Sequence, residues 1–131
     1  MKVLIVDDDP DVRAFLVSCM EAMGCDHIAV AENGEEALAR SVQARYDLVT
    51  LDLKMPGVSG LDILSVIRGM MPWAVIVIIS GYTEDMPEAA AEFTDLVLSK
   101  PVRVPTLQSV VQIARELAQK RESLKELAGE Q

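Results

Sequence analysis

Five short apolar runs, each followed by a stretch of helical periodicity, constrain this chain more than any other feature. Val3–Val6, Asp26–Val30, Leu48–Leu51, Ala74–Ile79 and Leu96–Leu98 read as strands, and the third and fourth are continuous apolar or β-branched runs, as buried interior strands are. Parallel neighbours need a crossover, and a helix between successive strands supplies it. The alternation therefore predicts an α/β fold, a doubly wound parallel sheet of five strands. At 131 residues with half of them apolar, the chain fits one core and one domain.

The intervening helices carry their own signals. Pro10-Asp11 opens the first, with Val12, Phe15, Leu16 and Cys19 facing inward and Gly24 as a stop. Asn33 caps the second, which carries Ala37, Leu38 and Val42; Ser59 caps the third, with Leu61, Ile63, Leu64 and Ile67 as its apolar face. The fourth, within Thr83–Phe93, should be short because Pro87 falls inside it and proline suits only a first turn. The last begins at Pro105 or Thr106 and carries Leu107, Val110, Val111, Ala114, Leu117 and Ala118. This divides the chain into a domain over 1–119 and a charged continuation of the last helix over 120–131. The continuation is a frayed tail, or a stalk or linker that pairs with a second copy or leads to another domain, since Leu107, Val110, Ala114, Leu117, Leu124 and Ala128 follow a heptad that Arg121 interrupts.

Several function classes are excluded at this point. A net charge of −9 without a basic stripe repels nucleic acid. No apolar run reaches the roughly 18 residues of a membrane span, and the N-terminus has no leader pattern, so a soluble, cytoplasmic protein is expected. Cys19 and Cys25 lack metal-site spacing and read as reduced packing residues; His27, the single histidine, reads as a surface or half-buried side chain.

The chemistry gathers at strand ends. Asp7 and Asp8 follow the first strand, Asp52 the third, Ser80 ends the fourth and Lys100 follows the fifth, all on the rim where open α/β sheets bind ligands. Singly, each has an ordinary reading as a turn residue, a helix cap or a snorkelling lysine. Jointly, three converging carboxylates call for a hard divalent cation such as Mg2+, held by Asp7, Asp8, Asp52 and the backbone carbonyl of Lys54. That set suits phosphoryl transfer to Asp52, with Lys100 and Ser80 on the phosphoryl oxygens.

The motifs Val3-Leu4-Ile5-Val6-Asp7-Asp8-Asp9-Pro10, Leu51-Asp52-Leu53-Lys54-Met55-Pro56-Gly57-Val58-Ser59-Gly60, Ile79-Ser80-Gly81 and Ser99-Lys100-Pro101 together resemble a response-regulator receiver domain of bacterial two-component signalling, of the chemotaxis-regulator kind. The resemblance covers residues 2 to about 119. It implies a flavodoxin-like sheet of order 2-1-3-4-5 with five helices, the fourth short. It also implies a phosphorelay module rather than an enzyme, loaded with Mg2+ and phosphorylated on Asp52 by a histidine kinase or phosphotransfer protein. By it, Asp7 and Asp8 match the metal-binding acids, Ser80 the switch hydroxyl and Lys100 the phosphate-sensing lysine. The departures are Val97 where the family usually has an aromatic, Val102 in place of a common phenylalanine, and a Ser80–Lys100 interval about two residues short. Lys54 and Tyr82 are expected to flank the entry to Asp52. Three other readings compete: a degenerate receiver that only dimerises or scaffolds, a flavoprotein, and a magnesium-dependent aspartyl hydrolase. Asp7, Asp8 and Asp9 would repel a flavin phosphate, and no cap insertion is evident for the hydrolase.

Overall fold

In the computed structural model, which describes residues 1–81 and 86–130, five parallel strands form one sheet. They are β1 (Lys2–Val6), β2 (His27–Ala31), β3 (Leu48–Leu51), β4 (Val75–Ser80) and β5 (Leu96–Ser99), in the order β2-β1-β3-β4-β5. The order and the parallel sense agree with expectation. Strand pleating sends alternate side chains to opposite faces and builds two cores. Leu4, Val6, Val49, Leu51, Ile76 and Ile78 face one; Val3, Ile5, Leu48, Val77 and Ile79 face the other.

Helices α1 (Pro10–Ala22) and α5 (Val104–Gly129) cover the second face, burying Leu16, Met20, Leu107, Val110, Val111 and Ala114. Helices α2 (Gly34–Gln43) and α3 (Gly60–Met70) cover the first. The expected caps are in place, Asn33 accepting from the Glu36 N–H at 2.8 Å and Ser59 from Asp62 at 3.3 Å, and Asp9 caps α1 by accepting from the Asp11 N–H at 2.9 Å.

The expectation of five helices needs correcting. Four run ten residues or more, and the fourth position, α4, holds a single turn, Glu88–Ala91. Pro87 directly precedes that turn, where its ring is tolerated. Tyr82 and Thr83 lie outside the described residues.

Three inward assignments also change. Val42 is 78% exposed, and Ser41 takes the inward place, its hydroxyl donating to the Ala37 carbonyl at 2.8 Å. Phe15 is 43% and Leu117 40% exposed. Each lies at the edge of its helix's apolar stripe, where helical spacing alone leaves the boundary undefined. The last helix starts at Val104, one residue earlier than expected, and runs unbroken to Gly129. Arg121, which interrupts the heptad, donates to the Trp73 carbonyl, and Arg45 stacks 3.7 Å over the Trp73 ring. Among the described residues no helix is long and apolar enough to cross a membrane.

Candidate functional site

The carboxylates sit where they do because the sheet ladder runs one step past the strands. The Asp7 N–H donates to Ala31 O at 3.1 Å, Asp52 N–H to Val6 O at 3.0 Å and Lys100 N–H to Ser80 O at 3.0 Å. Each functional residue is thus the first beyond its strand, with its backbone fixed by the neighbouring one. Three such rungs place all three side chains on one rim.

There Asp7, Asp8 and Asp52 each offer an oxygen within 4.8 Å of the others. Asp7 and Asp52 are almost wholly buried, whereas Asp8 is exposed. The Lys100 ammonium lies between the buried pair, 2.8 Å from Asp7 Oδ2 and 3.4 Å from Asp52 Oδ2. Asp7 Oδ1 accepts from the Asp9 N–H at 2.9 Å, and Asp52 Oδ1 from the Lys54 N–H at 3.4 Å. Ser80 is fully buried and hydrogen-bonds Asp52. The five side chains singled out from sequence therefore meet in one place, with the Lys54 backbone beside Asp52. They open into a cleft of about 630 Å³ whose wall includes Asp8, Asp9, Lys54, Met55 and Pro56.

Electrostatics follow from the burial. Desolvation pushes the Asp52 carboxyl above its ordinary range; Lys100 pulls it down, Asp7 pushes it further up, and the Ser80 and Lys54 hydrogen bonds pull it down. For Lys100, burial alone would lower the ammonium, but the Asp7 hydrogen bond and the two nearby carboxylates outweigh it and leave it raised. An all-oxygen set of three carboxylates at this spacing fits a hard divalent cation.

Sequence reasoning missed one partner and one cavity. Arg13 Nη1 donates to the Asp7 carbonyl at 2.6 Å and its Nη2 lies 4.0 Å from Glu32, tying α1 to the site. No local pattern marks it, since Arg13 sits among helix residues that face solvent. Beside the cleft runs an apolar groove of about 470 Å³, walled by Val12, Phe15, Ile79, Pro101 and Val102, with Lys100 at its end. A residue as small as Val102 leaves that groove open.

A family model described as the response regulator receiver domain matches residues 3–112. A response regulator receiver protein of an Anaeromyxobacter species is 37% identical over 106 residues, covering 79% of this chain and 44% of its own length. The chain spans less than half the length of the curated relatives it matches. The structure of response regulator TrrA from Thermotoga maritima, in complex with Mg2+ and BeF, superposes with a TM-score of 0.78 at 35% identity, covering 87% of this chain and 99% of that one. A response regulator from Burkholderia pseudomallei, solved with a phosphorylated aspartic acid and a calcium ion, gives a TM-score of 0.73 at 26% identity and covers 95% and 74%.

Proposed function

The chain belongs to the response regulator receiver domain family, a family of signalling modules, and from that premise we propose that it accepts a phosphoryl group on Asp52 from a phosphohistidine donor. The observation that carries this is the Lys100 ammonium held between Asp7 and Asp52 at 2.8 and 3.4 Å. Mg2+, held by Asp7, Asp8, Asp52 and the Lys54 carbonyl, supplies charge neutralisation when bound; the relatives' Mg2+ and calcium complexes support that reading.

The protein's own groups do the rest. An Asp52 oxygen attacks phosphorus, the phosphorus–nitrogen bond to the donor imidazole breaks with the electron pair leaving on nitrogen, and an acyl phosphate forms. A carboxylate kept partly desolvated is the more basic and nucleophilic for it. Lys100 then meets one phosphoryl oxygen, and the Ser80 hydroxyl another. Donor protein docks over the groove of Phe15, Val12 and Val102, which shares Lys100 with the cleft. Lys54, exposed on the cleft wall, flanks the path of attacking water. The setting is cytoplasmic, the relay proceeds by conformational change without direct nucleic-acid contact, and 1–119 acts as the domain with 120–131 as an extension.

Incubation with Mg2+ and acetyl phosphate tests this. The intact mass should rise by one phosphoryl group in wild type and not in Asp52→Asn; an unchanged wild-type mass refutes it. Phe15→Ala should slow transfer from a phosphohistidine protein and leave acetyl phosphate labelling unaltered.

A second copy pairing along α5 is the associated reading. Ile113, Leu117, Leu124 and Leu127 are 40–66% exposed at spacings of four, seven and three residues, with Lys120 in the gap. Residues 115–130 carry four basic and four acidic side chains, neutral within a chain of −9, so copies approach there without repulsion.

A further inference from the structure

We propose that Gly60, helped by Gly34, is a positioning residue of the cation and phosphoryl site, needed for the space it leaves and not for its backbone freedom. The inference rests on the reading of Asp52 and Lys54 given above.

Among the described residues only Gly24 and Gly57 have positive φ, so nothing in the backbone at Gly60 or Gly34 requires glycine. Space does. A Cβ at Gly60 would overlap the Asp52 carbonyl oxygen and stand 3.0 Å from its carbon and 3.1 Å from Leu53 Cα. Gly60 also donates its N–H to the Leu53 carbonyl at 3.1 Å, closing the neck of the loop over 53–59. Leu53 and Met55 are buried, which prevents the Asp52–Lys54 segment from yielding outward without emptying two apolar sites. A Cβ at Gly34 would stand 2.6 Å from the Val58 carbonyl oxygen, at the other end of the same loop.

Both glycines open a helix, α3 and α2 respectively. Two helix starts therefore close on one short loop, and the loop carries the phosphoacceptor at its root and the Lys54 carbonyl two residues on. A side chain at either start displaces that loop; at Gly60 the displacement falls on Asp52 itself.

Gly69 provides the internal control, because it lies in the same helix and a Cβ there meets nothing within 4 Å. Mg2+ dissociation constants are measured by calorimetry on folded protein, and metal-free melting temperatures separately. Gly60→Ala should weaken Mg2+ binding about tenfold, the size typical of groups that orient metal ligands, while Gly69→Ala keeps the wild-type constant. The Gly60→Ala/Gly69→Ala double variant should regain melting temperature but not affinity, since alanine favours the helix at 69. A folded Gly60→Ala with wild-type affinity overturns the proposal, as does affinity returning with stability in the double variant. If Gly60→Ala does not fold in either background, Gly34→Ala carries the test: a smaller weakening supports the proposal and an unchanged constant defeats it. Wild type that binds no Mg2+ at all would defeat the site reading beneath it, an outcome distinct from all of these.

Discussion

Lys100 keeps two buried carboxylates from facing each other uncompensated. Replacing it by Met strands like charges in a partly desolvated place, and the metal-free protein should lose about 2 kcal/mol of stability, below the full cost of breaking a buried ion pair because the rim is open to water. Asp52→Asn removes one of the like charges and should raise the metal-free melting temperature relative to wild type; thermal melts in chelator, beside melts in millimolar Mg2+, read both changes. Cys25 gives a second prediction at this scale. Burial raises its thiol above the ordinary value, against the pull of the Arg115 guanidinium and the N-terminus. The native state thus prefers the neutral thiol. Its contribution to stability is fully present below about pH 8.5, where the unfolded thiol ionises, and is lost as pH rises through the higher folded value. Denaturation measured from pH 7 to 10 should show stability falling at the alkaline end, and Cys25→Val should flatten part of that fall. The site residues were legible from sequence because each acid, hydroxyl or amine directly punctuates an apolar run. Arg13 was not, because its partner is a backbone carbonyl six residues away in the loop before its helix.

Between elements, Arg68 on α3 does the joining. Its guanidinium donates to Phe93 O at 2.9 Å, to Ala74 O at 2.7 Å and to Asp95 Oδ2 at 2.7 Å, while the same Asp95 oxygen accepts the Ile76 N–H at 2.8 Å. One planar fork thereby fixes α3, the start of β4 and the approach to β5. Arg68→Ala should cost about 2 kcal/mol in urea denaturation, chiefly from acceptors left partly buried. Arg68→Lys should recover little of that, since a single ammonium cannot span the three directions; full recovery would mean charge alone matters. Strands, caps and the order of elements could be read from the chain because period, proline and capping residues act locally. The inward face of α2 could be read only in part: Ala37 is buried and Leu38 packs on the core as expected, but Val42, four residues after Leu38, continues the helical spacing and is exposed, while Ser41, four after Ala37, is buried. The fourth helix shrinks to a turn for a local reason, Pro87, that the sequence does display.

Taken whole, the molecule is one sheet with its reactive rim at the strand C-termini and a long last helix running back toward the strand N-termini, where Arg121 grips Trp73. If α5 pairs two copies, Leu124→Ser with Leu127→Ser should shift sedimentation toward monomer at micromolar protein while leaving acetyl phosphate labelling intact; an unshifted profile removes the pairing. Sheet order became legible only with the receiver motifs in view, because periodicity yields strands but not their neighbours. The placement of Trp73 carries a practical corollary. As the chain's one tryptophan it lies against Tyr46 O and two arginines at the pole remote from the acids. Its emission is therefore an optical gauge of how the terminal helix is seated, and blind to cargo on Asp52 unless news of that cargo crosses the whole sheet.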